Sequence, residues 1–372
     1  MNRVVIVCNT VLQIIFATNL KFTEYADDKV TLIITDHTNN ASSLIKNARA
    51  SGAFASVFYC ETKKLTNCTA AIERSGTIGF VLDEFSRGKI LNKYLPERIE
   101  ADVLLAANPD KFVFLLYDCL KKKNRALKYY MYEDGLSAYC VLGKTLIKQR
   151  HAKRSILHSA LDFITDKHYA SEEIESIYLF EPELCQWSDE IPFRKMNKLD
   201  TGKTPLIDVL NILFDYKSLK DRYHQKYIFF EESYSVEKTR VDDVDLVEQI
   251  ASIVGKDNIK IKIHPRNPEN RFAELGYDTN SNTVIPWELI LMNENFEGKT
   301  LLSIASGSIA NPFLLMGIRT SSIVLMNCVK GDFGIDGNIY NDFLLNKVYL
   351  PNPDIFKLPK NLDELRELLT EE

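Results

Sequence analysis

Arg3-Val4-Val5-Ile6-Val7-Cys8-Asn9-Thr10-Val11-Leu12-Gln13-Ile14-Ile15-Phe16-Ala17 is the stretch on which the fold turns. Residues 4–8 form a short, mostly β-branched run that stops at a polar pair, and residues 11–22 follow with a helical pattern. A strand that hands straight to a helix opens a β-α unit. Five apolar residues before Asn9 are too few for a signal-peptide core, so a first strand is expected here.

The pattern recurs outward from that point. Residues 30–35 precede a helical stretch at 41–51, and 56–60 read as the next strand. Residues 102–106 (strand), 109–122 (helix) and 127–132 (strand) then deliver Glu133-Asp134-Gly135 at a strand's carboxy-terminal end, where open α/β sheets place ligands. From 136 to 225 the pattern is mixed. A second alternation runs through 227–230, 243–254, 259–263, 287–292, 300–305, 309–317 and 322–326, and 361–371 reads as an amphipathic helix capped by Asn361. The expected fold class is therefore α/β, with two Rossmann-like doubly wound domains at 1–205 and 206–372. No repeat of fixed period is found.

Composition narrows the function classes. A chain 45% apolar and 26% charged has the makeup of a globular protein, which excludes a disordered or low-complexity one. The net charge of −5 lacks the basic surplus of a dedicated nucleic-acid binder, so no nucleic acid is expected as partner. Seven cysteines at 8, 60, 68, 119, 140, 185 and 328 are scattered without a C-x-x-C pair, as expected of reduced thiols in a cytoplasm. No uncharged apolar run approaches the length of a membrane span. The sequons Asn40-Ala41-Ser42 and Asn67-Cys68-Thr69 carry no meaning in that compartment.

Three constellations can carry chemistry. Lys260-Ile261-Lys262-Ile263-His264-Pro265-Arg266 alternates as a strand and stops at Pro265, which puts Lys262, His264 and Arg266 at one sheet terminus. Cations gathered there suit a phosphate, although a histidine capping a turn would show the same spacing. Ser306-Gly307-Ser308 opens the expected helix at 309–317, and its hydroxyls and N–H groups suit an anion or serve as an ordinary N-cap. In Glu133-Asp134-Gly135, adjacent carboxylates alternate in direction, so one can act as general base while the other packs. An acidic surface turn is the plainer reading of the same triplet. Asp243-Val244-Asp245 is read as a helix start rather than a metal site, and the 331–337 stretch with its Asp-Phe-Gly as a loop.

Taken in order, these motifs resemble those of bacterial sialyltransferases built from two Rossmann-like halves facing a cleft, the GT-B arrangement. The resemblance is to glycosyltransferase family 52, the lipooligosaccharide and capsule sialyltransferases. Tyr132-Glu133-Asp134-Gly135 is similar to that group's D/E-D-G motif and His264-Pro265-Arg266 to its H-P-R. Ala305-Ser306-Gly307-Ser308 resembles its S-G turn, and Cys8-Asn9-Thr10-Val11-Leu12-Gln13 its C-x-T-x-L-Q opening. Residues 140–225 show no resemblance.

The resemblance implies transfer of sialic acid from CMP-Neu5Ac to a galactose-terminated bacterial surface glycan, lipooligosaccharide or capsule, by an inverting, metal-independent mechanism with no cofactor. It places the acceptor and general base on the first domain and the donor on the second. Asp134 or Glu133 is the implied base, and His264 the group at the phosphate. Lys262, Pro265, Arg266, Glu288, Ser306, Gly307 and Ser308 bind the donor, with Glu288 gripping the nucleotide's ribose or base. Asn9, Thr10 and Gln13 contact the acceptor. In some members the base lies just after the first strand of the second half, which makes Glu231 and Glu232 the alternatives. A UDP-sugar transferase and a non-catalytic nucleotide-sugar-binding subunit are the competing functions. The expected location is cytoplasmic. Lys121, Lys122, Lys123, Arg125 and the basic stretch 144–154 are expected either to touch the inner membrane surface or to form a solvated face.

Overall fold

The computed structural model describes residues 1–64, 91, 93–95, 99–152, 156–185, 187, 190–202, 204–216, 223–234, 240–267, 269–280, 284–329, 331–332 and 339–371. Asn67, Lys153, Arg154 and residues 333–337 of the Asp-Phe-Gly loop lie outside the described residues. The chain divides into two units, Met1–Asn197 with Thr204–Asp215, and Lys198–Lys203 with Tyr216–Glu372.

The first unit carries β1 (Arg3–Cys8), β2 (Lys29–Thr35), β3 (Ser56–Cys60), β4 (Val103–Ala106), β5 (Lys128–Tyr132), β6 (Ile174–Leu179) and β7 (Phe193–Lys195). They form one sheet in the order β3-β2-β1-β4-β5-β6-β7. Every neighbouring pair runs parallel. Val4 to Cys8 are all buried, as a strand covered on both faces requires. The order reverses between β1 and β4, so a crevice opens at their carboxy-terminal ends.

The second unit carries β8 (Tyr227–Phe230), β9 (Arg240–Val241), β10 (Ile259–Lys262), β11 (Asp278–Thr279), β12 (Thr300–Ser303), β13 (Ser321–Val324), β14 (Gly331–Asp332) and β15 (Phe356–Lys357). Its main sheet runs β11-β10-β8-β12-β13-β15, all parallel, and β9 and β14 form a separate antiparallel ribbon. Counted within the unit, the main sheet repeats the wiring of the first, with its reversal between β8 and β12. The core gathers Phe229, Leu246, Ile250, Ile261, Phe272 and Leu302 around these strands, and Leu365 and Leu369 of helix Leu362–Glu371 join them. Asn361 Oδ1 accepts the N–H groups of Asp363 and Glu364, which is the expected cap.

The expected domain boundary falls at the first residue of helix Pro205–Phe214. That helix packs on helices Val11–Phe22 and Ala41–Ala50 of the first unit, and Asn47 Nδ2 donates to its Leu213 carbonyl at 3.0 Å. The helix expected at 309–317 is a correction. Gly307–Ile309 is a single 3₁₀ turn, and Pro312–Met316 is a π-helical turn that Pro312 opens without an N–H to donate.

Candidate active site

The first unit's crest is a polar network built on the β1 and β4 ends. Thr10 caps helix Val11–Phe22 by accepting the Gln13 N–H at 3.2 Å, and Gln13 Oε1 reaches back to the Asn9 N–H at 2.7 Å. The fully buried Gln13 spends its Nε2 on Asn108 Oδ1 at 2.6 Å. Asn9 is likewise engaged, donating Nδ2 to Asp110 Oδ2 at 2.9 Å and accepting Thr35 Oγ1 at 2.8 Å. Gln13 therefore orders the crest from beneath, which corrects its reading as an acceptor contact. Thr10 stands exposed and Asn9 half-buried at the crest itself.

Asn108, which no motif singled out, passes this order to the acidic motif. Its Nδ2 donates to Asp134 Oδ2 at 2.9 Å. Asp134 is half-buried, while its neighbour Glu133 is 2% exposed and turned inward. Glu133 Oε2 accepts the Tyr139 hydroxyl at 2.5 Å and the Phe180 N–H at 2.9 Å. The pair divides as alternation demands, one carboxylate toward the crest and one in the fold. Gly135 makes the exit with φ +56°, a conformation that side chains rarely tolerate.

In the second unit the two acids after β8 are clamps. Glu231 Oε2 accepts the His264 N–H at 3.0 Å, and its Oε1 accepts Arg271 Nη2 at 2.9 Å. Arg271 also grips both oxygens of buried Asp243, at 3.1 and 2.8 Å. Asp243 thus starts its helix, as read from the sequence, and anchors this triad as well. Glu232 Oε1 accepts the Ala305 N–H at 2.7 Å and Ser303 Oγ at 3.2 Å, and its Oε2 accepts the Tyr234 hydroxyl at 2.9 Å. Burial raises the Glu232 pKa against those hydrogen bonds. Consecutive acids just after the central strand therefore tie down the end of β10 on one side and of β12 on the other.

These ties bring the sequence-predicted donor residues onto one crest. His264 Nδ1 accepts the Arg266 N–H at 3.2 Å, an assignment from the hydrogen-bond pattern that leaves Nε2 to carry the proton in the neutral ring. Arg266 Nη2 is turned to Ser233 Oγ at 2.7 Å, and Pro265 is exposed in the turn. Ser306 Oγ accepts the Ser308 N–H at 3.2 Å, while the Gly307 N–H and the Ser308 hydroxyl take no partner among the described residues. Trp287 Nε1 donates to the Ser308 carbonyl at 3.1 Å, bringing Glu288 beside this turn. Because the segment after it is no continuous α-helix, local donors rather than a helix dipole are what the turn offers an anion.

Lys262 is 8% exposed, and its ammonium makes no hydrogen bond or ion pair among the described residues. Burial lowers its pKa, partly offset by the charge of Glu288. Burial raises the Glu288 pKa, and its Oε1 accepts Asn311 Nδ2 at 2.6 Å. A buried ammonium offset only by the charge of Glu288, with no hydrogen bond among the described residues, is costly unless a ligand anion completes it. No group of metal-ligating side chains is found among the described residues. A cavity of about 860 Å³ lies at the amino-terminal ends of β8, β12 and β13, among Lys226, Lys299, Thr300 and Ser321, away from these groups.

The chain matches the model of the alpha-2,8-polysialyltransferase family over residues 4–325 and belongs to that family. The broader resemblance to bacterial sialyltransferases holds; the matching family is the polysialyltransferase one. The alpha/beta-galactoside alpha-2,3-sialyltransferase of Photobacterium phosphoreum is similar in structure, with a TM-score of 0.51 and 13% identity over 96% of this chain and 98% of that one. The spinosyn forosaminyltransferase SpnP aligns with a TM-score of 0.51 and 10% identity over 100% and 91%. At these identities the likeness shows the fold, the two-Rossmann GT-B architecture. No curated protein sequence matches.

Proposed function

We propose that the protein is a sialyltransferase that moves sialic acid from CMP-sialic acid to a glycan hydroxyl. One observation carries the reading: the second unit's crest joins a buried Lys262 whose ammonium takes no hydrogen bond or ion pair among the described residues, a histidine whose Nδ1 is occupied, and a serine turn whose Gly307 N–H and Ser308 hydroxyl are unused among those residues. This set suits a nucleotide monophosphate, with Glu288 and Asn311 placed beside the turn for the ribose or base. As the glycosidic bond loosens, positive charge develops on the sugar and negative charge on the phosphate. His264 Nε2–H, the Gly307 N–H and the Ser308 hydroxyl stabilise that phosphate, the kind of fixed donor set that contributes most to such reactions. Asp134 removes the acceptor proton, and attack from the opposite face inverts a β-linked donor to an α-linked product.

The first acceptor reading is a galactose-terminated surface glycan. The family description favours a second, an acceptor ending in α2,8-linked sialic acid. CMP release from CMP-sialic acid, measured alone, with lactose and with oligosialic acid, tests both. Acceptor-stimulated release that disappears in His264→Ala supports the reading and selects the acceptor. Turnover of a UDP-sugar in place of CMP-sialic acid moves the protein to the alternative donor class, and CMP binding without turnover of any donor makes it a binding subunit.

A further inference from the structure

The acidic turn of the first unit is held from both sides by residues that follow β6. Before Asp134, buried Glu133 is fixed by the Tyr139 hydroxyl and the Phe180 N–H, and that hydroxyl accepts the Glu181 N–H at 3.1 Å. After it the turn closes on itself: the Asp134 carbonyl accepts Ser137 Oγ at 2.9 Å, and the Gly135 carbonyl accepts the Ala138 N–H at 3.2 Å. Trp187 meets the far end. Its Nε1–H donates to the Ala138 carbonyl at 2.9 Å, and its half-buried indole meets Phe193 edge-on with ring centroids 5.3 Å apart. The same ring lies against buried Gly143 of helix Leu142–Arg150, where an added β-carbon would sit 1.9 Å from Trp187 Cδ2 and 2.0 Å from Cε3. Glycine weakens a helix relative to alanine, yet only glycine admits the ring here.

We propose that Trp187 is a positioning residue for the general base: its indole, seated on Gly143, latches the Ala138 carbonyl and so fixes the main chain that carries Asp134. The inference rests on the reading of Asp134 as that base. A base must stand within hydrogen-bond reach of the proton it takes, and a displacement of about 1 Å can cost on the order of a hundredfold in rate. Two supports then divide the task. Asn108 holds the Asp134 carboxylate itself, while Trp187 holds the turn beneath it.

The test combines steady-state kinetics, calorimetric titration with CMP and amide hydrogen exchange on the full chain. Trp187→Phe keeps an aromatic ring and removes the N–H. Exchange across 134–140 should quicken about tenfold or more while β1 and β4 keep the parent's protection. The kcat for acceptor-stimulated CMP release should fall about tenfold to a hundredfold, with the KM for CMP-sialic acid and the Kd for CMP unchanged. Gly143→Ala unseats the indole without altering it, so it should lower kcat alone and add nothing to the loss in Trp187→Ala. Parental exchange or parental kcat in Trp187→Phe overturns the proposal, and so do Gly143→Ala and Trp187→Ala losses that add in full. A parent that turns over no sugar nucleotide, with exchange at 134–140 still quickened in Trp187→Phe, overturns the assigned activity and supports the latch.

Discussion

Glu231 holds His264 by its main chain: Oε2 accepts the histidine N–H at 3.0 Å while Oε1 is committed to Arg271 at 2.9 Å. Both oxygens of the carboxylate are therefore occupied by the fold. A general base needs an oxygen that can reach the acceptor, and the arrangement makes Glu231 a positioning residue instead.

Glu231→Gln separates these roles. Removing the charge from the triad with Arg271 and Asp243 should lower the unfolding free energy by about 1–3 kcal/mol, part of the loss being offset because Arg271 is partly exposed. His264→Ala keeps the clamp and should leave the denaturation midpoint near the parent's while CMP release falls by about two orders of magnitude or more. A Glu231→Gln protein as stable as the parent yet without turnover would falsify the clamp and restore Glu231 as base.

The two acids of the first-unit motif should part in the same way. Asp134→Asn is expected to leave stability unchanged and cut turnover by about 10²–10⁴-fold. Glu133→Gln should cost about 1–3 kcal/mol, because a buried oxygen that accepts both Tyr139 and Phe180 loses its charge. Asn108→Ala should lower kcat with little change in the KM for CMP-sialic acid, since its Nδ2 holds Asp134 Oδ2. Denaturation curves and steady-state kinetics on the three variants check the pattern; a stability loss in Asp134→Asn rather than in Glu133→Gln reverses the assignment.

Lys262→Met tests the buried cation. Methionine fills similar volume without a charge to desolvate, so stability should stay level or rise by about 1 kcal/mol. CMP affinity should fall about tenfold or more, the loss of one charge-assisted contact. Calorimetric titration with CMP reads the affinity, and unchanged binding removes Lys262 from the donor site.

Asp102 supplies a pH test away from the crests. Its carboxylate receives Arg3 Nη2 at 2.8 Å and the Arg3 N–H at 2.9 Å, and these hydrogen bonds hold its pKa down to about 2. A folded pKa below the unfolded value of about 3.9 gives stability that is present above pH ~4 and lost as the pH falls toward 2. The pair is exposed, so solvent screening keeps the contribution small. Asp102→Asn should therefore be less stable than the parent at neutral pH and equal to it near pH 2 in urea titrations at each pH. A gap that persists in acid excludes the ion pair as its source.

Strands with enough β-branched residues announced themselves. β1, β2, β5, β8 and β10 were legible because each carries a run long enough to show against its flanks, and Gly135 and Pro265 marked where two of the crests turn. β7, β11 and β15 are only three, two and two residues long, too short to show any period. β6 was lost in a stretch whose neighbours are irregular. The π turn at Pro312–Met316 defeated the helical reading because its apolar residues follow an ordinary helical pattern, and only the backbone reveals the wider turn. At the site, Asp134 and His264 stood out by motif. Asn108 did not, since an asparagine after a strand is commonplace, and its meaning comes from Gln13 and Asp134 meeting it from distant parts of the chain.

The polypeptide passes between its two units three times, because residues 198–203 group with the second and helix Pro205–Phe214 with the first. Leu199 is tied to its unit through the Leu315 carbonyl at 2.8 Å, and Leu206, Leu210 and Leu213 are buried in theirs. A single genetic crossover or proteolytic nick in this region cannot release two whole halves. Chimeras that exchange donor preference between relatives must splice after Asp215 and carry the 198–203 tether along with the incoming half.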